Sequence, residues 1–236
     1  MEAGADLPGL LAAAAPADLA GDDVLVVAHK VVSKAEGRVR RLDSITAGPR
    51  AQALAAEHGK DARLVQAVLD ESAEVLRARD GVLICRTRHG FVCANAGVDR
   101  SNASVDGELI LLPEDPDESA RRIRAAIARV RGVRPAVVIS DSFGRAWRLG
   151  QTDVAIGAAG IAPVEDWRGR PDAYGRELRA TAIAIADAAA AAADLARAKD
   201  SREPAVLVRG LGVHVTDSDG PGAAALRRPA EQDLFR

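Results

Sequence analysis

The chain has 236 residues and a formal net charge of −2 at pH 7, with 32 basic and 34 acidic side chains. Hydrophobic residues make up 48% of it but aromatic residues only 3%, so the core must be built from Ala, Val, Leu and Ile. This composition offers neither the basic patch nor the stacking rings of a nucleic-acid-binding protein. No apolar run is long enough to span a membrane and no signal-like segment opens the chain, so we expect a cytoplasmic protein.

Apolar patterning predicts a strand, a helix and a hairpin in the first half of the chain. The valine-rich run Asp22–Ala28 predicts a buried strand, and the segment KVVSKAEG places its lysines at or just beyond the end of that strand. Residues Asp61–Arg79 carry apolar side chains at helical spacing, which predicts a helix. Val82–Cys85 and Phe91–Ala94 predict a hairpin, with Gly90 available for a positive φ in its turn.

A helix and a strand are predicted next. Asp115 and Pro116 suit the N-cap and the first position of a helix that should end near Gly132. Ala136–Ser140 predicts a strand that delivers Asp141 at its end.

The last predicted elements are a helix and a strand. The alanine-rich segment from Tyr174 to about Lys199 predicts a long helix, and Ala205–Val208 predicts a strand. Because strands and helices alternate without regular βαβ units, we expect an α+β fold with antiparallel sheets and packed helices. We assign residues 1–236 to a single domain.

The cysteine spacing and the absence of standard motifs argue against several kinds of functional site. Cys85 and Cys93 lack CxxC spacing; a disulfide across the hairpin is geometrically possible, but two reduced core thiols are the favoured interpretation. The sequence contains no GxxxxGK[ST], no strand-GxGxxG-helix, no GxSxG and no HExxH, so none of the corresponding standard sites is encoded.

Two predicted glycine-containing turns hold side chains with oxygen donors. They are AGVDRSN, which holds Asp99 and Asn102, and ISDSFGR, which holds Asp141 and Ser142. Mg²⁺ or Mn²⁺ typically takes one or two carboxylates together with substrate phosphates. The aspartates are therefore candidate metal ligands, with the serine and the asparagine as neutral partners.

Basic residues near these turns are candidates for binding phosphate. Lys34 could act as a point charge, and Arg145 or Arg148 as forked donors. The competing interpretation is that the two aspartates only cap their turns, a position that Asp favours in any case.

Four motifs in order resemble one family. KVVSKAEGR, AGVDRSN, ISDSFGRAWRLGQTDVAIGAAG and the AAADL segment before PAVLVRG resemble the coenzyme F420-0:L-glutamate ligase family, also called γ-glutamyl ligase, from about Asp22 to Arg209. The closing RRPAEQDLF resembles the end of the ligase domain in bifunctional actinobacterial members. The nitroreductase-like domain of those members is not found in residues 1–236.

The resemblance implies an enzyme of coenzyme F420 biosynthesis. Such a ligase uses GTP to add L-glutamate to the carboxylate of F420-0 or dehydro-F420-0, through an acyl phosphate, and then adds further γ-linked glutamates. It also implies a homodimer.

The resemblance further implies roles for individual residues. Asp99 and Asp141 would be the catalytic residues and would share one divalent cation, Mg²⁺ or Mn²⁺, with Ser142 on a second and K⁺ as a further candidate ion. His29, Lys34 and Asn102 would contact GTP.

The start of the chain leaves alternatives open. The family has a Leu-Pro-Glu-Ile-like GTP-contacting motif well before the first strand, whereas Leu7–Leu10 lies close to that strand. We therefore expect the motif to be missing and the true start to lie upstream. The alternatives are an N-terminally truncated, catalytically weak or non-catalytic homologue, and a metal-dependent phosphohydrolase that uses the same aspartates.

Overall fold

The computed structural model describes residues 1–101, 105–198 and 200–234. Its α-helices are α1 (Leu7–Ala14), α2 (His29–Ala35), α3 (Pro49–His58), α4 (Ala62–Glu71), α5 (Pro116–Arg131) and α6 (Ile185–Ala196). Its strands are β1 (Val24–Ala28), β2 (Val39–Arg41), β3 (Ser72–Arg79), β4 (Val82–Thr87), β5 (Val92–Ala94), β6 (Glu108–Ile110), β7 (Ala136–Arg145), β8 (Arg148–Ala159), β9 (Glu165–Asp166), β10 (Ala182–Ile183) and β11 (Ala205–Val208).

The chain forms two compact units. The first unit comprises Met1–Asp6, His29–Asp115 and Phe143–Gln151, and the second unit comprises Leu7–Ala28, Pro116–Ser142 and the chain from Thr152 onward. Among the described residues, no helix is both long enough and apolar enough to cross a membrane.

The first unit is built on small antiparallel sheets. Strands β3, β4 and β5 form one sheet, and β2 pairs with β6 in another. Helix α3 begins with Pro49 at its N-terminus and ends at Gly59, whose φ of 64° suits glycine. A core of aliphatic side chains includes Val65, Val68 and Leu83, all at most 1% exposed. Burial of these apolar side chains stabilises the unit.

The second unit contains a four-stranded sheet in the order β11-β1-β7-β8. Strand β1 runs parallel to β7 and antiparallel to β11. Val24 and Val26 of β1 and Val138 of β7 are fully buried in the same core as Ala186 and Ala190 of α6. Because alanine side chains are small, the helix backbone can lie close to the sheet, and β1 contacts α6 directly.

Much of the predicted secondary structure is confirmed. The predicted strands correspond to β1, β7 and β11, the predicted hairpin is β4–β5, and the helix predicted from Pro116 is α5. The mixed α+β class with antiparallel sheets is also confirmed.

The helix predicted over Asp61–Arg79 is wrong in its second half. Helix α4 begins after Asp61, whose side chain accepts a hydrogen bond from the backbone N–H of Arg63, and it ends at Glu71. Residues Ser72–Arg79 instead form β3, which pairs with β4. The adjacent apolar residues Val75 and Leu76 fit either period, and the pairing with the next strand, β4, across the turn at Asp80 and Gly81 decides between them.

The long helix predicted from Tyr174 to about Lys199 is wrong at its start, and Lys199 lies outside the described residues. Helix α6 begins only at Ile185. The Asp172 side chain accepts hydrogen bonds from the backbone N–H groups of Tyr174 and Arg176, and Gly175 has a φ of 83°. This turn competes with helix in the segment before the alanine run.

The two cysteines are free thiols, as the favoured interpretation held. Cys85 and Cys93 are cross-strand partners of β4 and β5, and both are buried. Burial raises the pKa of the Cys85 thiol, so the reactive thiolate is disfavoured.

A partly buried carboxyl near the start of α6 makes stability depend on pH. Asp187 accepts a hydrogen bond of 2.8 Å from the backbone N–H of Ala155, but burial raises its pKa above the ordinary value. The folded state therefore holds this proton more tightly than the unfolded chain. Its contribution to stability is complete below the unfolded pKa of about 3.9 and is lost as the pH rises through the folded pKa.

We expect Asp187→Asn to gain stability relative to the wild type as the pH rises from acid to neutral. The amide oxygen can keep the bond to Ala155 while removing the buried charge. Urea titrations between pH 3.5 and 7 measure the difference, with Asp200→Asn as the exposed control in the same unit. A pH-independent difference would show that the Asp187 carboxyl titrates alike in both states.

Candidate functional site

A short, strained turn positions Asp99 in the first unit. Asn95 and Ala96 adopt positive φ values of 51° and 53°, and Gly97 follows with a φ of 73°. A Cβ at Gly97 would lie 2.7 Å from the Leu112 side chain, so this close approach requires glycine. The backbone N–H and C=O of Asp99 then bond to Ile110. These bonds fix the direction in which the Asp99 side chain leaves the turn.

The Asp99 carboxylate lies beside a lysine. Lys30 Nζ is 2.5 Å from its Oδ2, and Ser101 donates to it from both its backbone N–H (2.7 Å) and its hydroxyl (2.8 Å). Burial alone would raise the pKa of Asp99, but the bonds from Lys30 and Ser101 outweigh it and lower the pKa. Asp99 therefore makes the turn-capping bond of the competing interpretation and is also a stable anion next to an ammonium group.

Helix α2 carries two of the residues predicted to contact GTP. His29 is only 2% exposed, and its Nδ1 lies 3.4 Å from Ser33 Oγ. Lys34 is partly exposed in the last turn of the helix. Asn102, the third predicted contact, lies outside the described residues. The GTP contacts of all three stay predictions.

In the second unit, Asp141 and Ser142 lie within β7. The sequence placed Asp141 at the end of a strand, but β7 continues to Arg145 and is followed at once by β8, its neighbour in the sheet. The Asp141 Oδ1 accepts a bond of 2.8 Å from the backbone N–H of Ser142. Since successive strand residues point to opposite faces, Asp141 and Ser142 project on opposite sides of β7.

A buried aspartate holds the serines on one face of β7. Ser140 and Ser142 donate their hydroxyls to the two oxygens of Asp153 on β8, at 2.8 and 2.6 Å. Arg197, directly after α6, donates to the same carboxylate at 2.6 Å. Asp153 is only 2% exposed, so this arginine provides the opposite charge that a buried carboxylate needs.

The two other basic candidates lie in the β7–β8 hairpin. Arg145 donates to the backbone carbonyls of Leu149 (2.6 Å) and Gly150 (3.3 Å), so its guanidinium holds the turn. Arg148 is exposed. Nothing in their geometry singles out either residue as a phosphate donor.

The donor chemistry of both clusters fits a hard cation. Within the described parts of the chain, no three His, Cys, Asp or Glu side chains converge into a metal-binding group. Asp99, Asp141 and Ser142 offer carboxylate and hydroxyl oxygens, the donors that Mg²⁺ and Mn²⁺ prefer. These ions usually complete their coordination with water and phosphate, so one or two carboxylates suffice. That Asp99 and Asp141 share one ion stays a prediction.

Sequence reasoning missed three residues of these clusters. Lys30 was signalled by its position directly after a strand, in the same segment as Lys34. Asp153 and Arg197 carried no comparable signal, since each is a charge beside an apolar or alanine-rich run with no recognisable motif around it. Their partners lie 11 and 44 residues away, respectively.

These observations define a class of protein: an α+β protein with two oxygen-rich, charge-compensated clusters whose donors suit hard cations. A family model described as F420-0:Gamma-glutamyl ligase matches residues 1–210. The chain belongs to the F420-0:gamma-glutamyl ligase family.

Three relatives cover nearly the whole chain, and each is named Coenzyme F420:L-glutamate ligase. The one from Methanothermobacter thermautotrophicus is 46% identical over 220 residues, 93% of this chain and 86% of that protein. The one from Methanopyrus kandleri is 45% identical, over 99% of this chain and 92% of the relative. The one from Methanocaldococcus jannaschii is 42% identical, over 91% of this chain and 84% of the relative.

Proposed function

We propose that this protein is a ligase that joins L-glutamate to F420-0 in an amide bond and uses GTP to drive the reaction. The observation that carries the proposal is an identity of 42–46% with relatives named for F420 and L-glutamate, over more than 90% of the chain. The carboxylate and hydroxyl oxygens around Asp99 and Asp141 suit Mg²⁺ or Mn²⁺, which supports a phosphate-transfer step.

The proposed reaction has two steps. A carboxylate oxygen of F420-0 attacks the γ-phosphorus of GTP, the bond to the leaving oxygen breaks, and GDP and an acyl phosphate form. The amine of L-glutamate then attacks the acyl carbon, phosphate leaves, and the nitrogen loses a proton as the amide forms. Positioning and electrostatic stabilisation account for most of such a reaction, which requires no nucleophilic serine or cysteine.

Each cluster has a proposed part in holding the nucleotide. Asp99 and Asp141 would hold one divalent ion and Ser142 a second. When bound, such ions neutralise phosphate charge. Lys34, His29 and Asn102 would contact GTP. K⁺ is a further proposed ion.

The test is a product assay with purified protein, GTP, Mn²⁺, F420-0 and L-glutamate. Mass spectrometry should detect F420 with added glutamate, and phosphate release should require both acceptor and amino acid. Release of phosphate from GTP alone would indicate a phosphohydrolase instead. GTP binding without any turnover would indicate a non-catalytic homologue.

Replacing Lys34 by Ala should weaken GTP binding without weakening glutamate binding. Its ammonium group would lose a phosphate contact, and charge-assisted bonds of this kind correspond to about a tenfold or greater change in affinity. Calorimetric titration measures both ligands, with Arg50→Ala, an exposed cation on α3, as the control. An unchanged GTP dissociation constant would show that Lys34 is a solvated surface residue.

We also propose a homodimer. Trp147 and Leu149 have exposed fractions of 77% and 97%, so the β7–β8 hairpin carries two large apolar side chains in solvent. Light scattering should give twice the chain mass, and Leu149→Asp should shift it toward one chain. A monomeric wild type would rule out the dimer.

A further inference from the structure

The guanidinium of Arg197 is held from one side only. Its Nη2 donates to the Asp153 carboxylate at 2.6 Å and lies 3.3 Å from Ser140 Oγ. The side chain is 10% exposed, and its Nη1 is buried with no hydrogen-bond partner among residues 1–101, 105–198 and 200–234. A buried donor without a partner is costly, so this geometry favours a ligand that supplies an acceptor.

The charge around Arg197 limits what that ligand can be. Nη1 carries N–H donors and no acceptor, so its partner must offer an oxygen with a free lone pair. Asp153 compensates the charge of Arg197, which leaves Nη1 as a directional donor on a rigid support. Ser142 Oγ bonds the same carboxylate at 2.6 Å, so this donor lies in the cluster on the Ser142 face of β7.

We propose that Arg197 is an additional substrate-binding residue whose Nη1 donates to an anionic oxygen of the nucleotide's phosphate chain. This inference rests on the proposed function, because that function brings a polyphosphate to Ser142. Asp153 is then a positioning residue: it fixes the guanidinium and the Ser142 hydroxyl with a single buried carboxylate. A carboxylate of L-glutamate has the same acceptor chemistry, and the experiment separates the two sources.

The test uses Arg197→Lys, because lysine can keep a cation against Asp153 but cannot present a second, fixed donor. Calorimetry measures the binding of GTP, inorganic tripolyphosphate and L-glutamate to the wild type and the variant. We expect affinity for GTP and tripolyphosphate to fall about tenfold or more, and affinity for L-glutamate to stay the same. Arg209→Lys, a surface arginine paired with Asp18, is the matched control and should change nothing.

The outcomes separate this inference from the proposed function. A wild type that binds neither GTP nor tripolyphosphate would contradict the proposed function itself. If the wild type binds GTP and Arg197→Lys binds it equally well, only the role of Arg197 is overturned. If Arg197→Lys loses affinity for L-glutamate alone, Nη1 donates to a carboxylate of L-glutamate instead of the phosphate chain. A large fall in the unfolding temperature of Arg197→Lys together with unchanged affinity for GTP and tripolyphosphate would show that the guanidinium is purely structural, which also overturns the proposal.

Discussion

Replacing Asp141 by Asn is expected to reduce the rate of glutamate addition by at least about 100-fold, since a bound metal contributes several kcal/mol to charge stabilisation in the transition state. The amide keeps an oxygen that can accept the backbone N–H of Ser142, so the strand should be undisturbed. What is lost is the negative charge that would compensate a divalent ion. Steady-state product formation at saturating GTP measures the effect.

The control for this variant is a similar loss of charge away from the cluster. Asp166 on β9 is an exposed acid whose hydrogen bonds to Arg168 are local, and Asp166→Asn should retain wild-type activity. Calorimetry with Mn²⁺ gives a second readout, because loss of a ligand should weaken metal binding in Asp141→Asn alone. Near-normal activity of Asp141→Asn at low Mn²⁺ would contradict the assignment.

The strands of the second unit were predictable because short runs of consecutive apolar residues indicate which segments are buried. Val24–Ala28 and Ala136–Ser140 are short apolar runs, and the observed strands are paired and mostly buried along these runs. Such runs need no knowledge of the partner to be recognised. Helix α5 was equally clear, because Pro116 at its start and Gly132 beyond its end are local signals.

The supporting residues of the site could not be predicted in the same way. Asp99 and Asp141 stood out in the sequence because each follows an apolar run in a glycine-containing segment. Their surroundings depend on contacts between distant parts of the chain: Lys30 with Asp99, and Arg197 with Asp153. The spacing of apolar residues shows which face of a helix or strand is buried. It does not show which acidic and basic side chains pair across the fold.

In both clusters a basic residue stands against an acidic one, with different consequences for function. Asp99 and Lys30 have side chains that are 38% and 23% exposed, so solvent screens their attraction and either group can change partner. Asp153 and Arg197 are 2% and 10% exposed, and breaking that pair would leave a buried charge without a partner of opposite sign. The first pair is therefore suited to exchange partners with ligands, and the second to remain fixed as support.

The largest loss of stability is expected at a different buried arginine, Arg124 of α5. Its side chain is 1% exposed and pairs with Asp219 at 2.6 Å. It also donates to the backbone carbonyls of Pro135 (3.1 Å), Thr216 (2.6 Å) and Asp217 (3.1 Å). One guanidinium thus ties the segment around residues 216–219 to the helix. Leucine at this position would leave several acceptors without a donor.

We expect Arg124→Leu to lower the free energy of unfolding by about 3 kcal/mol, within the range for breaking a buried pair, while the partial exposure of Asp219 moderates the loss. Arg122→Leu is the matched control on the same helix: its side chain is 66% exposed and, in the described parts of the chain, pairs only with Glu118. It should therefore change stability by less than about 0.5 kcal/mol. Urea titration followed by far-UV circular dichroism measures both variants.

The backbone at Gly160 gives an independent check on the same packing. Gly160 has a φ of 74°, and a Cβ there would lie 2.3 Å from Arg124 Nε. Gly160→Ala should therefore displace the guanidinium and destabilise the wild type, but it should cost less in an Arg124→Leu background, where the steric conflict is reduced. Fully additive losses in the double variant would show that the strain at Gly160 comes from its backbone conformation alone. If Arg124→Leu were no less stable than Arg122→Leu, the buried guanidinium would not be what anchors the segment around residues 216–219.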